Sequence, residues 1–134
     1  MTKQSEAITV EIAAGELMDK ITILEIKTER IEEVSKLANI RTELDMLLAA
    51  RDRALVVTTR LEPLIADLKS ANEHLWEIED EIRECERHKE FGPRFVELAR
   101  SVYRTNDRRC AIKRQINQIS GSRWTEEKSY KDYE

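Results

Sequence analysis

Residues that make sharp turns are scarce in this chain. Its 134 residues include 3 Gly and 2 Pro. A strand-rich fold needs more turn residues and more β-branched runs, so that class is excluded. Aromatic residues are only 5% of the chain. Cysteine is nearly absent: Cys85 and Cys110 have no CxxC spacing, which excludes a disulfide framework and leaves two small apolar residues. No apolar run approaches the roughly 20 residues of a membrane-spanning helix. The opening MTKQSEAITVEIAAGEL has no continuous apolar signal core. A cytoplasmic chain without membrane insertion is expected. An excess of positive charge is missing too. The net charge of -4 argues against a nucleic-acid coat or a membrane-surface binder, since both need a basic face.

Charged residues are abundant at 37%, as long exposed helices require. The length suits one domain with a real core and is too short for two. No repeat, linker or composition break divides residues 1–134. Residues 1–14 read as an extended arm, 15–121 as the helical bundle and 122–134 as a partly ordered tail. Within the arm, ITVEI (8–12) alternates apolar and polar, a short strand signal that needs a partner.

Four helices follow from the spacing. The first starts near Gly15–Glu16 and runs to about Glu33, with Leu17, Ile21, Leu24 and Ile31 on one stripe. Ser35 is placed to cap the second, which carries Leu37, Ile40, Leu44, Leu47 and Leu48. Thr59 with Glu62 suggests a capping box for the third. There Leu61, Leu64, Leu68, Ala71, Leu75, Ile78, Ile82 and Cys85 make an unbroken heptad seam. KEFGP (89–93) is the turn, with Gly92 free to take positive φ and Pro93 opening the fourth helix. Phe95, Leu98, Val102, Thr105, Arg109, Ile112, Ile116 and Ile119 then repeat the spacing, and Gly121 stops it. The expected fold is an all-α four-helix bundle on a long antiparallel hairpin of helices three and four, with a short N-terminal strand or extended arm.

Thr105 and Arg109 interrupt this last seam with polar groups. Folding the hairpin about residue 90 sets Leu75 by Thr105 and Ala71 by Arg109. Ala71 leaves room for a guanidinium, with Asn72 and Asp67 nearby to receive it. From Leu61 to Glu90 there are ten acids against four bases, and from Phe91 to Arg123 eight bases against two acids. Much of the basic charge should therefore complement the third helix. What remains is a candidate ligand-binding set: Asn72, Trp76 and Glu79 on one helix, Tyr103, Asn106, Arg109 and Lys113 on the other. A cavity so lined suits a small anion, a carboxylate or phosphate with a planar or sugar body. Helix one brings Asp19, Lys20 and Lys27 beside its stripe.

Metal chemistry finds no complete ligand set. His74 with Glu77 and Cys85 with His88 could each share a helix face, but no second pair completes a site. Asp80, Glu81 and Glu84 echo the EExxE helix of all-α nucleotide pyrophosphohydrolases. The second carboxylate pair is missing, because Arg100 and Arg104 stand at the spacings it would use. A helical chorismate mutase would need an Arg near the start of its first helix, where this chain has Asp19–Lys20. No metal and no cofactor is expected.

Four stretches in order, GELMDKITILEIK (15–27), LWEIEDEIRECE (75–86), LARSVYRTNDRRCAIKRQIN (98–117) and EEKSY (126–130), resemble a bacterial and phage family of small helical domains with no established activity. The resemblance implies a link to surface-polysaccharide synthesis and assigns no catalytic residue. Two readings stand. One is a non-catalytic interaction or assembly module, self-associating as a homodimer or binding a protein partner. The other is a protein or enzyme that binds a small anionic ligand in an interhelical polar pocket.

Overall fold

The computed structural model describes residues 7–122, 126, 127, 129 and 131–133. Four helices run in order: α1 (Ala14–Arg30), α2 (Val34–Ala54), α3 (Leu61–Arg87) and α4 (Pro93–Ser120). The fold is an all-α bundle in which α3 and α4 pack most extensively. The backbone of α1 lies against α2, α3 and α4, whereas α2 lies against α1 alone.

Sequence explains that arrangement. Leu17, Met18, Ile21, Leu24 and Ile26 make a broad apolar face on α1, and a helix with so wide a stripe packs against several neighbours. Met18, Ile21 and Ile26 are buried in α1, together with the polar Asp19 and Thr22. Leu17, Met18 and Ile21 meet Leu61, Leu68 and Ala71 of α3 and Ile112 and Ile116 of α4 in the core. In α2 no residue is fully buried. Its Leu44, Leu47 and Leu48 only lean on the core edge.

The structure corrects several expectations of local detail. ITVEI forms no strand; among the described residues 7–13 make a non-helical arm, with Ile8 and Val10 largely exposed. A lone alternating segment has no ladder to join. α1 ends at Arg30, earlier than Glu33. Ser35 lies inside α2, its hydroxyl 3.0 Å from Glu33 Oε1, and Glu33 occupies the cap position without a side-chain cap. Thr58, not Thr59, accepts from the Arg60 and Leu61 amides at 3.3 and 3.4 Å. In the 89–93 turn, Lys89 takes positive φ (55°) and Gly92 does not. The Glu90 amide reaches the Cys85 carbonyl at 2.9 Å, so α3 closes as a Schellman turn around Lys89. Pro93 opens α4 and Gly121 ends it at φ 65°, as the spacing indicated.

Trp124 and Tyr130, two of the tail aromatics, lie outside the described residues, as does part of EEKSY. Glu126 and Tyr133 return to α4. The Arg114 guanidinium donates twice to the Glu126 carbonyl, at 3.2 and 3.0 Å. The rings of Tyr103 and Tyr133 meet edge-on with centroids 5.2 Å apart.

Candidate functional site

α1 has no side-chain cap of its own, because Ala13 stands at the cap position. The first amides of a helix need acceptors. Here α4 supplies them: the Gly15 amide donates to Asn117 Oδ1 at 2.7 Å, and the Ala14 amide to Ser122 Oγ at 3.1 Å. This fixes the start of α1 against the end of α4. Four residues on from Gly15, Asp19 therefore faces the polar turn of α4.

Asp19 is only 5% exposed. Asn72 of α3 donates through Nδ2 to Asp19 Oδ1 at 2.9 Å and to Thr22 Oγ1 at 3.1 Å. Thr22 donates in turn to the Asp19 carbonyl at 2.9 Å. Arg109 reaches the same carboxylate oxygen with Nε at 3.9 Å. That distance is too long for a hydrogen bond. Its Nε is buried and has no hydrogen-bond partner. So the receiver of Arg109 is Asp19 of α1, not Asp67. Ala71 of α3 is fully buried in the core. One contact shows the hairpin register directly: Thr105 Oγ1 lies 3.5 Å from His74 Nδ1.

A turn further along α4, Lys113 is also buried. Its ammonium pairs with Glu16 at 2.8 Å and Glu126 at 3.3 Å. Hydrogen bonding from Lys113 holds the Glu16 carboxyl below its ordinary value of about 4.5, against the opposing effect of burial. For Lys113, burial pushes the ammonium down, and the Glu16 hydrogen bond with the charges of Asp19, Glu16 and Glu126 outweighs it. A carboxyl depressed by folding stabilises the fold above its unfolded value and loses that contribution as pH falls through the folded value. The melting temperature should therefore drop as pH falls below about 4.5, the ordinary value of Glu16. Glu16→Gln should show a shallower drop in the same window. Equal slopes for the two proteins would remove Glu16 from the acid response.

Two clefts flank Arg109. The first, of about 420 Å³ between α1, α3 and α4, is lined by Asn72, Trp76, Glu79, Asn106 and Arg109 among others. The second, of about 870 Å³ between α4 and the tail, includes Tyr103, Asn106 and Arg109. The structure thus brings six of the seven candidate residues to these linings. Lys113 lies in neither, its charge engaged by Glu16 and Glu126. Trp76 is held from behind by the Arg30 guanidinium, 5.9 Å from its ring centroid. Arg30 is itself paired with Glu73 and Glu77 at 3.7 and 3.4 Å.

The expected matching of acidic α3 with basic α4 takes a different form. The cross-helix pairs centre on α1: Arg30 with Glu73 and Glu77, Glu29 with Lys69, Glu16 with Lys113 and Asp19 with Arg109. Glu79 pairs with Arg83 within α3, and Glu97 with Arg100 and Arg104 within α4. Charges along exposed faces satisfy near neighbours first, since i,i+3 and i,i+4 partners cost little side-chain entropy. Asp19, Glu16 and Asn117 were the polar groups that periodicity underrated. The signal was present: Asp19 and Thr22 stand within the broad apolar face of α1, and a buried polar residue needs a partner.

Among the described residues, no three His, Cys, Asp or Glu side chains are placed to hold a metal ion. Glu84 of the DExxE echo is taken by Arg87 and His88, both at 2.8 Å. Among the described residues, no helix is long and apolar enough to cross a membrane. Cys85 and Cys110 are free thiols.

Fold and site together define an all-α bundle with a polar cleft around an interhelical arginine. The chain belongs to the family of unknown function designated DUF6165, whose model matches residues 8–133. No match to the chain was found among curated proteins or solved structures.

Proposed function

We propose that this chain is a non-catalytic helical binding module whose ligand places a small anionic group, a carboxylate or phosphate, at Arg109. The observation that carries the reading is the state of that side chain. Arg109 stands where both clefts meet, with a buried Nε that has no hydrogen-bond partner. An unsatisfied buried donor costs about 1–3 kcal/mol. Asp19 offers charge at 3.9 Å but no hydrogen bond. About 28% of the Arg109 side chain stays exposed, and that part of its planar fork suits carboxylate and phosphate alike.

The module is also proposed to self-associate as a cytoplasmic homodimer. α2 supports this, since none of its residues is fully buried and Val34 and Met46 are largely exposed. Two free cysteines suit a reducing compartment. No residue of this chain argues for the surface-polysaccharide setting that the resemblance implies, so the proposal stops at ligand chemistry.

One titration tests both parts. Acetate and inorganic phosphate are added while the Arg109 Nε–H resonance is followed by NMR, with light scattering on the same samples. A saturable shift at Arg109, absent from a folded Arg109→Ala variant, is the expected result. No shift with either anion would overturn the binding site. A monomer mass throughout would overturn the homodimer.

A further inference from the structure

The two clefts share one wall. Val102, Asn106 and Arg109 line both, at helical spacings of four and three on a single face of α4. A ligand anchored at Arg109 can therefore extend either way, toward Trp76 or toward Tyr103. The charges along this path limit what it can carry. Arg83 and Arg109 in the first cleft stand against Glu79 and Asp80. In the second, Arg109 and Lys131 stand against Asp107, Glu126, Glu127 and Asp132. Arg83 is further occupied by Glu79 at 3.2 Å. A polyanion would meet carboxylates on both sides of its one good partner, and like charges at contact distance repel.

Asp80 and Glu127 are strong acceptors for hydroxyl groups, and Asn106 both donates and accepts. Trp76 and Tyr103 add rings on which the C–H face of a sugar can rest. Resting on the Arg109 reading, we infer that the two clefts form one continuous site for a monoanionic, polyhydroxylated ligand of the sugar-acid class. Its carboxylate sits at Arg109 and its hydroxyls reach acidic groups on either side, Asp80 in the first cleft and Glu127 in the second.

The test uses the full chain and four probes: D-glucuronate, D-glucose, acetate and inorganic pyrophosphate. Affinities come from calorimetry or from the Arg109 resonance. Glucuronate should bind at least tenfold more tightly than acetate or glucose, and pyrophosphate no more tightly than acetate. Asp80→Ala and Glu127→Ala change exposed side chains and should leave the fold intact. Each should weaken glucuronate threefold or more and leave acetate unchanged. Glucuronate equal to acetate, pyrophosphate binding tightest, or both variants without effect on glucuronate would each overturn the sugar-acid site. In those cases a surviving acetate shift at Arg109 leaves the anion site standing. Silence at Arg109 with every probe would sink both readings.

Discussion

Gly15→Ala should lower the melting temperature of this protein by several degrees. An alanine Cβ at this position would lie 2.6 Å from the Lys113 carbonyl oxygen and 2.8 Å from Asn117 Oδ1. The first of these is backbone of a packed helix and cannot swing aside. The second is the acceptor that satisfies the Gly15 amide at 2.7 Å, so moving it breaks the cap. Overpacking costs about 1–3 kcal/mol, and loss of a cap adds about 1 kcal/mol. Alanine is the better helix former by about 1 kcal/mol, which offsets only part. The net loss is about 2 kcal/mol, roughly 7 °C in a chain of this size. Gly92→Ala is the control, since a Cβ there meets nothing within 4 Å. Thermal melts of the two variants decide the matter. Equal melting temperatures would mean that the close approach of α1 and α4 is not needed.

Asp19→Ala should be comparably damaging, by a different route. The substitution strips Asn72 Nδ2 of its 2.9 Å acceptor and Arg109 of its nearby charge in one step. Removing one partner of a buried polar group leaves the other unsatisfied, at about 1–3 kcal/mol per group. About 2 kcal/mol is expected here, because Asn72 loses one of its two acceptors and the Arg109 guanidinium loses the nearby charge that offsets its burial. Asn72→Ala alone should cost less, since Thr22 still donates to the Asp19 carbonyl and Asp19 keeps Arg109 nearby. The double variant should be milder than the sum of the singles by about 1 kcal/mol or more, as for residues in one network. Urea denaturation of the four proteins gives the cycle directly. Additivity within about 0.5 kcal/mol would show that Asp19 and Asn72 act independently.

Both predictions concern α1, and α1 is where sequence and structure part company. Heptad spacing made the α3/α4 hairpin legible, because a seam repeated over eight positions on each helix admits one face and one partner direction. The interruption at Thr105 and Arg109 was legible for the same reason: a polar residue is conspicuous in a regular seam. The receiver of Arg109 was not. Asp67 and Asp19 are both carboxylates beside apolar stripes, and only the docking of α1 brings one of them to the guanidinium. Local caps were misplaced at Ser35 and Thr59, and the positive φ expected at Gly92 falls at Lys89. At such ends alternative hydrogen bonds differ by little, so packing of the neighbouring helix selects among them.

By itself the sequence determined an all-helical chain, its four segments, the antiparallel pairing of the last two and the polar break at Thr105 and Arg109. Those features rest on spacing, which is a property of the chain read in order. Only the tertiary structure decided that α1 becomes the hub, that its first amides are capped by Asn117 and Ser122, and that Asp19 meets Arg109 without satisfying it. Each of these depends on groups distant in the chain being brought together, 108 and 102 residues apart for the two caps. The burial of apolar surface that drives this docking is non-directional, so composition can demand it without naming the partners.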